Sequence, residues 1–150
     1  MKISQQSFTT RTIFVFSLGL LALACTNKDK NYAPESLKGY TISAEYTSGR
    51  GSFDGVSGQS FKIIFKDDRN FYSPGENGVT QFTGNYEYTR VKSDKARIFL
   101  MATSGPKKGT ELKVDFYFED SDEGTFEGTV AQGPKGSQTG DFELEAPPKK

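Results

Sequence analysis

The chain has 150 residues, with 19 Lys and Arg against 19 Asp and Glu, 13 Phe, 7 Tyr, one Cys, and no His or Trp. That length suits one domain, and a chain without net charge lacks the field that gathers nucleic acid. Without His there is no ordinary side-chain base near neutral pH, and a single Cys without His rules out a zinc site of the Cys/His kind.

Residues 1–24 carry Lys2 and Arg11 and no acid, so the remainder holds 17 basic against 19 acidic side chains. Behind Arg11 lies an apolar run of 12 residues, Ile13 to Ala24. A helix that spans a bilayer needs about 20 apolar residues. A shorter run behind a basic start matches the apolar region of a secretory signal. The run ends in Leu21-Ala22-Leu23-Ala24-Cys25. This resembles the lipobox of bacterial lipoproteins, although Ala22 stands where leucine is usual. The resemblance implies a signal peptide over 1–24, cleavage before Cys25, and lipid on the Cys25 thiol. It implies a membrane as partner and a place in the bacterial cell envelope. Thr26, rather than Asp, follows the cysteine, which by the same resemblance points to the outer membrane rather than the inner. A lone acyl chain anchors only marginally, and the resemblance implies diacylglycerol plus, often, an amide-linked chain. Lipid also accounts for a single cysteine that an oxidising compartment would otherwise leave as a free thiol. Residues 25–36 are polar, contain Pro34 and show no apolar period, so they are expected to form a flexible tether.

From Gly39 the hydrophobic period is two. Tyr40, Ile42, Ala44 and Tyr46 alternate with polar residues, as in a half-buried strand. Ser48 to Gly55 reads as a turn-rich loop. Phe61, Ile63 and Phe65 form the next strand, Asp67 to Asn70 a tight turn, and Phe71-Tyr72 a short strand that Pro74-Gly75 and Asn77-Gly78 break. Tyr86 and Tyr88, then Ala96 to Ala102, then Leu112 to Phe118 alternate in turn, with Gly105 to Gly109 between the last two. Phe126, Gly128 and Val130 follow, then the turn Gly133 to Gly136, then Gly140, Phe142 and Leu144, and a polar tail over 146–150. About eight strands with short connections predict an all-β domain over 37–145. An antiparallel up-and-down barrel fits first, because closure removes sheet edges, and a β-sandwich is the alternative.

The turns and aromatics carry a second resemblance. Leu37-x-Gly39, Phe65-Lys66-Asp67-Asp68-x-x-Phe71, Thr83-Gly84-Asn85-Tyr86-Glu87-Tyr88, Ala96, Phe116-x-Phe118, Gly124-Thr125-Phe126 and Gly140-x-Phe142 resemble lipocalin-type barrel domains of the MoaF-like kind. It implies an eight-stranded calycin-like barrel and brings no catalytic motif.

Candidate sites are few. Glu119-Asp120-Ser121-Asp122-Glu123-Gly124 is the densest acid cluster, but it lacks the order of a calcium loop and reads as a solvated hairpin turn. Gly105-Pro106-Lys107-Lys108-Gly109-Thr110 lacks the spacing of a phosphate loop. Asp67 and Asp68 are adjacent, so a strand would send them to opposite faces. No catalytic residue, metal site or cofactor is expected. Phe61, Phe65, Tyr86, Tyr88, Phe116, Phe118 and Phe142, with Phe126, share the inferred inner face and are the candidate lining for a small apolar ligand. A barrel of eight strands is filled by side chains or holds one small ligand, so a solid core with a protein-binding outer face is the alternative. Phe99, Met101 and Tyr117 fall on that outer face. The sequence therefore predicts a non-enzymatic, lipid-anchored protein that binds an apolar ligand or a partner protein.

Overall fold

The computed structural model describes residues 31–75 and 80–148. The expected signal, Cys25 and Thr26, the Asn77-Gly78 turn and Lys149-Lys150 lie outside the described residues. Eight strands follow one another: β1 (Thr41–Gly51), β2 (Ser60–Phe65), β3 (Asn70–Pro74), β4 (Thr80–Lys92), β5 (Lys95–Ala102), β6 (Glu111–Phe118), β7 (Glu123–Gln132) and β8 (Gly136–Glu145). Each pairs antiparallel with the next, and β8 returns to pair with β1 from Thr41↔Glu145 to Gly51↔Gly136. The fold is thus a closed, eight-stranded up-and-down barrel of lipocalin-like form, not a sandwich.

Alternation makes the strands. In β8, Gln138, Gly140, Phe142 and Leu144 point inward and are buried, while Thr139, Asp141 and Glu143 are exposed. The register of each hairpin then follows, because a slip of one residue would turn the apolar set outward. Two boundaries differ from the sequence reading. Ser48–Gly51, expected in a loop, continues β1 beyond a bulge between Tyr46 and Ser48. The extra residue breaks the period of two, so the alternating pattern ends at Thr47 while the ladder goes on. Gly136, expected in a turn, opens β8 opposite Gly51.

Aromatic rings fill the interior because glycine makes room beneath them. A Cβ on Gly140 would lie 2.6 Å from the Phe126 ring, and one on Gly84 2.5 Å from the Phe71 ring. Phe65, Phe126, Leu37 and Ile98 are the largest side chains buried completely.

The expected tether over 25–36 needs correction in its described part. Residues 31–36 are held against one barrel end instead of running free. Tyr32 and Ala33 donate their N–H groups to Ser93 O in the β4–β5 turn, each at 2.8 Å. Ala33 and Leu37 are buried in the core. Tyr88 Oη donates to Pro34 O at 2.5 Å, and Arg90 pairs with Glu35. A single alanine among polar residues carries no period, which is why sequence pattern misses the attachment.

Candidate functional site

The candidate ligand residues all reach the interior, where they meet one another. Ring centroids run Tyr46–Phe61 at 4.8 Å, Phe61–Phe126 at 5.8 Å, Phe126–Phe116 at 6.3 Å, Phe116–Phe142 at 4.9 Å and Phe142–Phe118 at 5.1 Å. Phe65 and Tyr86 meet at 4.7 Å. These are contact separations for edge-to-face and tilted rings. Tyr88 stands at the end covered by Pro34. Tyr86 Oη donates to Asp67 O at 2.5 Å. Burial pushes the phenols of Tyr46 and Tyr86 up to about 12, and raises that of Tyr88 as well. All three are neutral at physiological pH. Sequence reasoning missed Phe71 and Phe82 as members of this core. The period of two carried Tyr46, but the short β3 and the start of β4 were too brief to show a face. Among the described residues, one buried side-chain polar atom lacks a partner, Gln138 Oε1, and the side chain lies over Gly128.

The acid turn Glu119 to Glu123 joins β6 to β7. Asp120 and Ser121 bond each other within it. No group of carboxylates among the described residues has the geometry to hold a metal ion. Asp67 does local work, since its Oδ1 accepts from Arg69 N and Asn70 N, each at 2.8 Å, and shapes the β2–β3 turn. Those bonds, with that of the Asn70 side chain first, hold its carboxyl below the usual range.

The outer wall has two contrasting faces. On β5 and β6, Asp115 accepts from Arg97 Nε at 2.6 Å and Nη2 at 3.0 Å, with Lys95 Nζ at 3.6 Å. Its side chain is only 13% exposed. The Arg97 bonds, and the nearby Lys95 and Lys113, hold its carboxyl below the ordinary value. Because the folded carboxyl ionises at lower pH than the unfolded one, the stabilisation is complete above an unfolded pKa of about 3.9 and is lost as pH falls through the folded value. Asp115→Asn is expected to lower the melting temperature at neutral pH and to match the parent at strongly acid pH; a constant offset at all pH would contradict it. Phe99, Met101 and Tyr117 lie on this face as the alternation predicts, with Met101 42% exposed.

The adjoining face, on β7, β8 and β1, carries Glu123, Glu127, Asp141, Glu143, Glu145 and Glu45, and neither β7 nor β8 contains a basic residue. Beside it the wall has a seam. β2 and β3 pair only at Ile64↔Tyr72 and Phe65↔Phe71. Continuing that register places Pro74 opposite Lys62, and proline has no N–H to donate, so the ladder stops there. Phe65 N donates to Tyr40 O and Tyr46 N to Gln59 O. The odd-numbered residues of β2 therefore bond to β1, and the main chain of Ser60 and Lys62 turns toward the seam. Among the described residues, no strand pairs with these two on that side. An open cavity of about 1,070 Å³ runs from the seam across the acidic face, with Ser60, Lys62, Pro74, Glu45, Asp141 and Glu143 in its lining.

No family model matches the chain, no curated protein is significantly similar to it, and no solved structure matches it.

Proposed function

We propose that the chain is a lipid-anchored protein of the bacterial cell envelope that works without catalysis, holding a partner on the outer wall of a solid barrel. The packed ring stack from Tyr46 to Phe118 carries this reading, because it leaves the interior to side chains and the seam side of the wall to a partner. The anchor rests on the run that ends at Cys25. Asn31 is the first described residue, six steps beyond Cys25 in the chain. Those steps reach about 20 Å at most, so lipid on Cys25 keeps the plugged barrel end close to the membrane. Expression with a fatty-acid probe tests the anchor. Label is expected on the parent chain, absent from Cys25→Ser, and accompanied by loss of signal cleavage. Label that persists on the variant overturns the reading.

A second reading, a small ligand inside the barrel, draws on Gln138 Oε1, a buried acceptor that asks for a donor. The native mass of the purified chain separates the two: an added small mass belongs to the second reading only.

A further inference from the structure

The barrel end opposite the Ser93 turn is closed differently from the end that holds residues 31–36. Phe126, Gly140 and Tyr46 form one inward row, and the next row toward this end is Gly128, Gln138 and Gly49. Glycines on both sides leave Gln138 as the one side chain that β7, β8 and β1 send into that row. The β1–β2 loop fills the space instead: a Cβ on Gly49 would lie 2.0 Å from Phe53 O and 2.6 Å from Val56 Cγ2. Phe53 is buried, with its ring centroid 6.5 Å from that of Tyr46. Lys107 Nζ, from the β5–β6 loop, lies 5.9 Å from the centre of the Phe53 ring. Two loops therefore close this mouth, and two polar groups stand idle beneath them. Gln138 is 4% exposed, and its Oε1 accepts no hydrogen bond, which is a costly state for a buried acceptor. Among the described residues Tyr46 Oη has no partner either, whereas Tyr86 and Tyr88 both donate to main-chain carbonyls. The rim is basic. In the described part of the loops at this end, the exposed Lys107, Lys108 and Lys135 stand against Asp54 alone, and none of the three is in an ion pair.

We propose that this mouth binds a small apolar acid that carries a hydroxyl or amine at the end remote from its carboxylate. The hydroxyl or amine donates to Gln138 Oε1, the apolar body takes the place of the Phe53 ring beside Tyr46, and the carboxylate meets Lys107 and Lys135 at the rim. Lys135 precedes Gln138 by three residues, about 10 Å along a strand, so one ring with a short side chain spans the gap. A plug carried on a loop can leave without breaking the wall. The β1–β2 loop turns at Gly55 and Gly58, with φ of +80° and +78°, and nothing lies within 4 Å of a Cβ at either position. The loop has room to swing outward while the rings below keep their packing.

The inference rests on the second reading, a small ligand in the barrel, and is independent of the lipid and of the outer wall. The test uses the full chain in nonionic detergent with para-hydroxyphenylpropionate as probe and phenylpropionate, which lacks the hydroxyl, as its control. The hydroxylated probe is expected to bind at least about tenfold more tightly, because the control leaves Gln138 Oε1 unpaired. Its binding is expected to weaken with added salt, and about tenfold in the double variant Lys107→Gln, Lys135→Gln. Gln138→Met, close in size, is expected to bind the two probes alike and to melt no lower than the parent, since it removes an idle acceptor. Failure of the parent to bind either probe, or equal affinity for both, overturns the proposal. So does a lower melting temperature of Gln138→Met, which would give Oε1 a structural partner such as a buried water. A small mass that co-purifies equally with the parent and with Gln138→Met would uphold the ligand reading and overturn this site for it.

Discussion

Phe126→Ala is expected to cost about 3–5 kcal/mol, the usual range for removing a large ring from a packed core. The Phe126 ring is 1% exposed. It touches Tyr46 at 6.0 Å, Phe61 at 5.8 Å and Phe116 at 6.3 Å, so it joins the rings of β1, β2 and β6 from its place on β7. The neighbours stand on different strands of a closed barrel, and none can fall into the hole without pulling its strand out of register. The cavity therefore stays open, and the full penalty is felt. Domains are typically stable by about 5–15 kcal/mol, so the variant should be close to unfolding. Urea denaturation gives the value. A loss below about 1 kcal/mol would show that the interior can collapse, and the solid-core argument would fail with it.

Gly140→Ala should be at least as severe, although it adds one methyl group. The new Cβ would lie 2.0 Å from Glu45 O and 2.6 Å from the Phe126 ring. Overpacking costs about 1–3 kcal/mol when side chains give way. Here one of the obstacles is a main-chain carbonyl on the strand that closes the barrel, opposite Gly140 through the Tyr46 pair. The expected result is little or no folded protein at equilibrium. Adding Phe126→Leu should relieve the ring contact but leave the carbonyl clash, so the double variant should remain unfolded. Recovery in that double variant would mean that the ring, not the β1–β8 closure, sets the need for glycine. Thr139→Ala, at the exposed neighbouring position, is expected to stay within about 0.5 kcal/mol of the parent.

Much of the barrel was readable from local pattern, because a strand with one wet face writes its burial into every second residue. Leu112 to Phe118 and Gly140 to Leu144 show this, and their inward sets are the buried ones. The pattern failed where a strand departs from strict alternation. The bulge after Tyr46 hid four residues of β1, and β3 was too short to show which side of Phe71 faced inward. Ala33 escaped for a related reason. Its main chain is held by Ser93 across the barrel end, and one apolar residue in a polar stretch has no period to betray it.

The seam was beyond the sequence altogether. Pro74 was visible as a strand breaker, but which ladder it breaks depends on the register that sets it opposite Lys62, and register is a property of two strands. The same holds for the acids. Glu45 and Asp141 are 96 positions apart, and only the closure of β8 on β1 brings them face to face. By itself the sequence determined the number and type of strands, the identity of most core rings, and the apolar run and cysteine at the start, since each is encoded by neighbours along the chain. The tertiary structure decided that the sheet closes, that the rings fill the space, and that like charges of β1, β7 and β8 stand opposite one another. These depend on distant residues meeting, and no local pattern of hydrophobicity or charge records which strands will become neighbours.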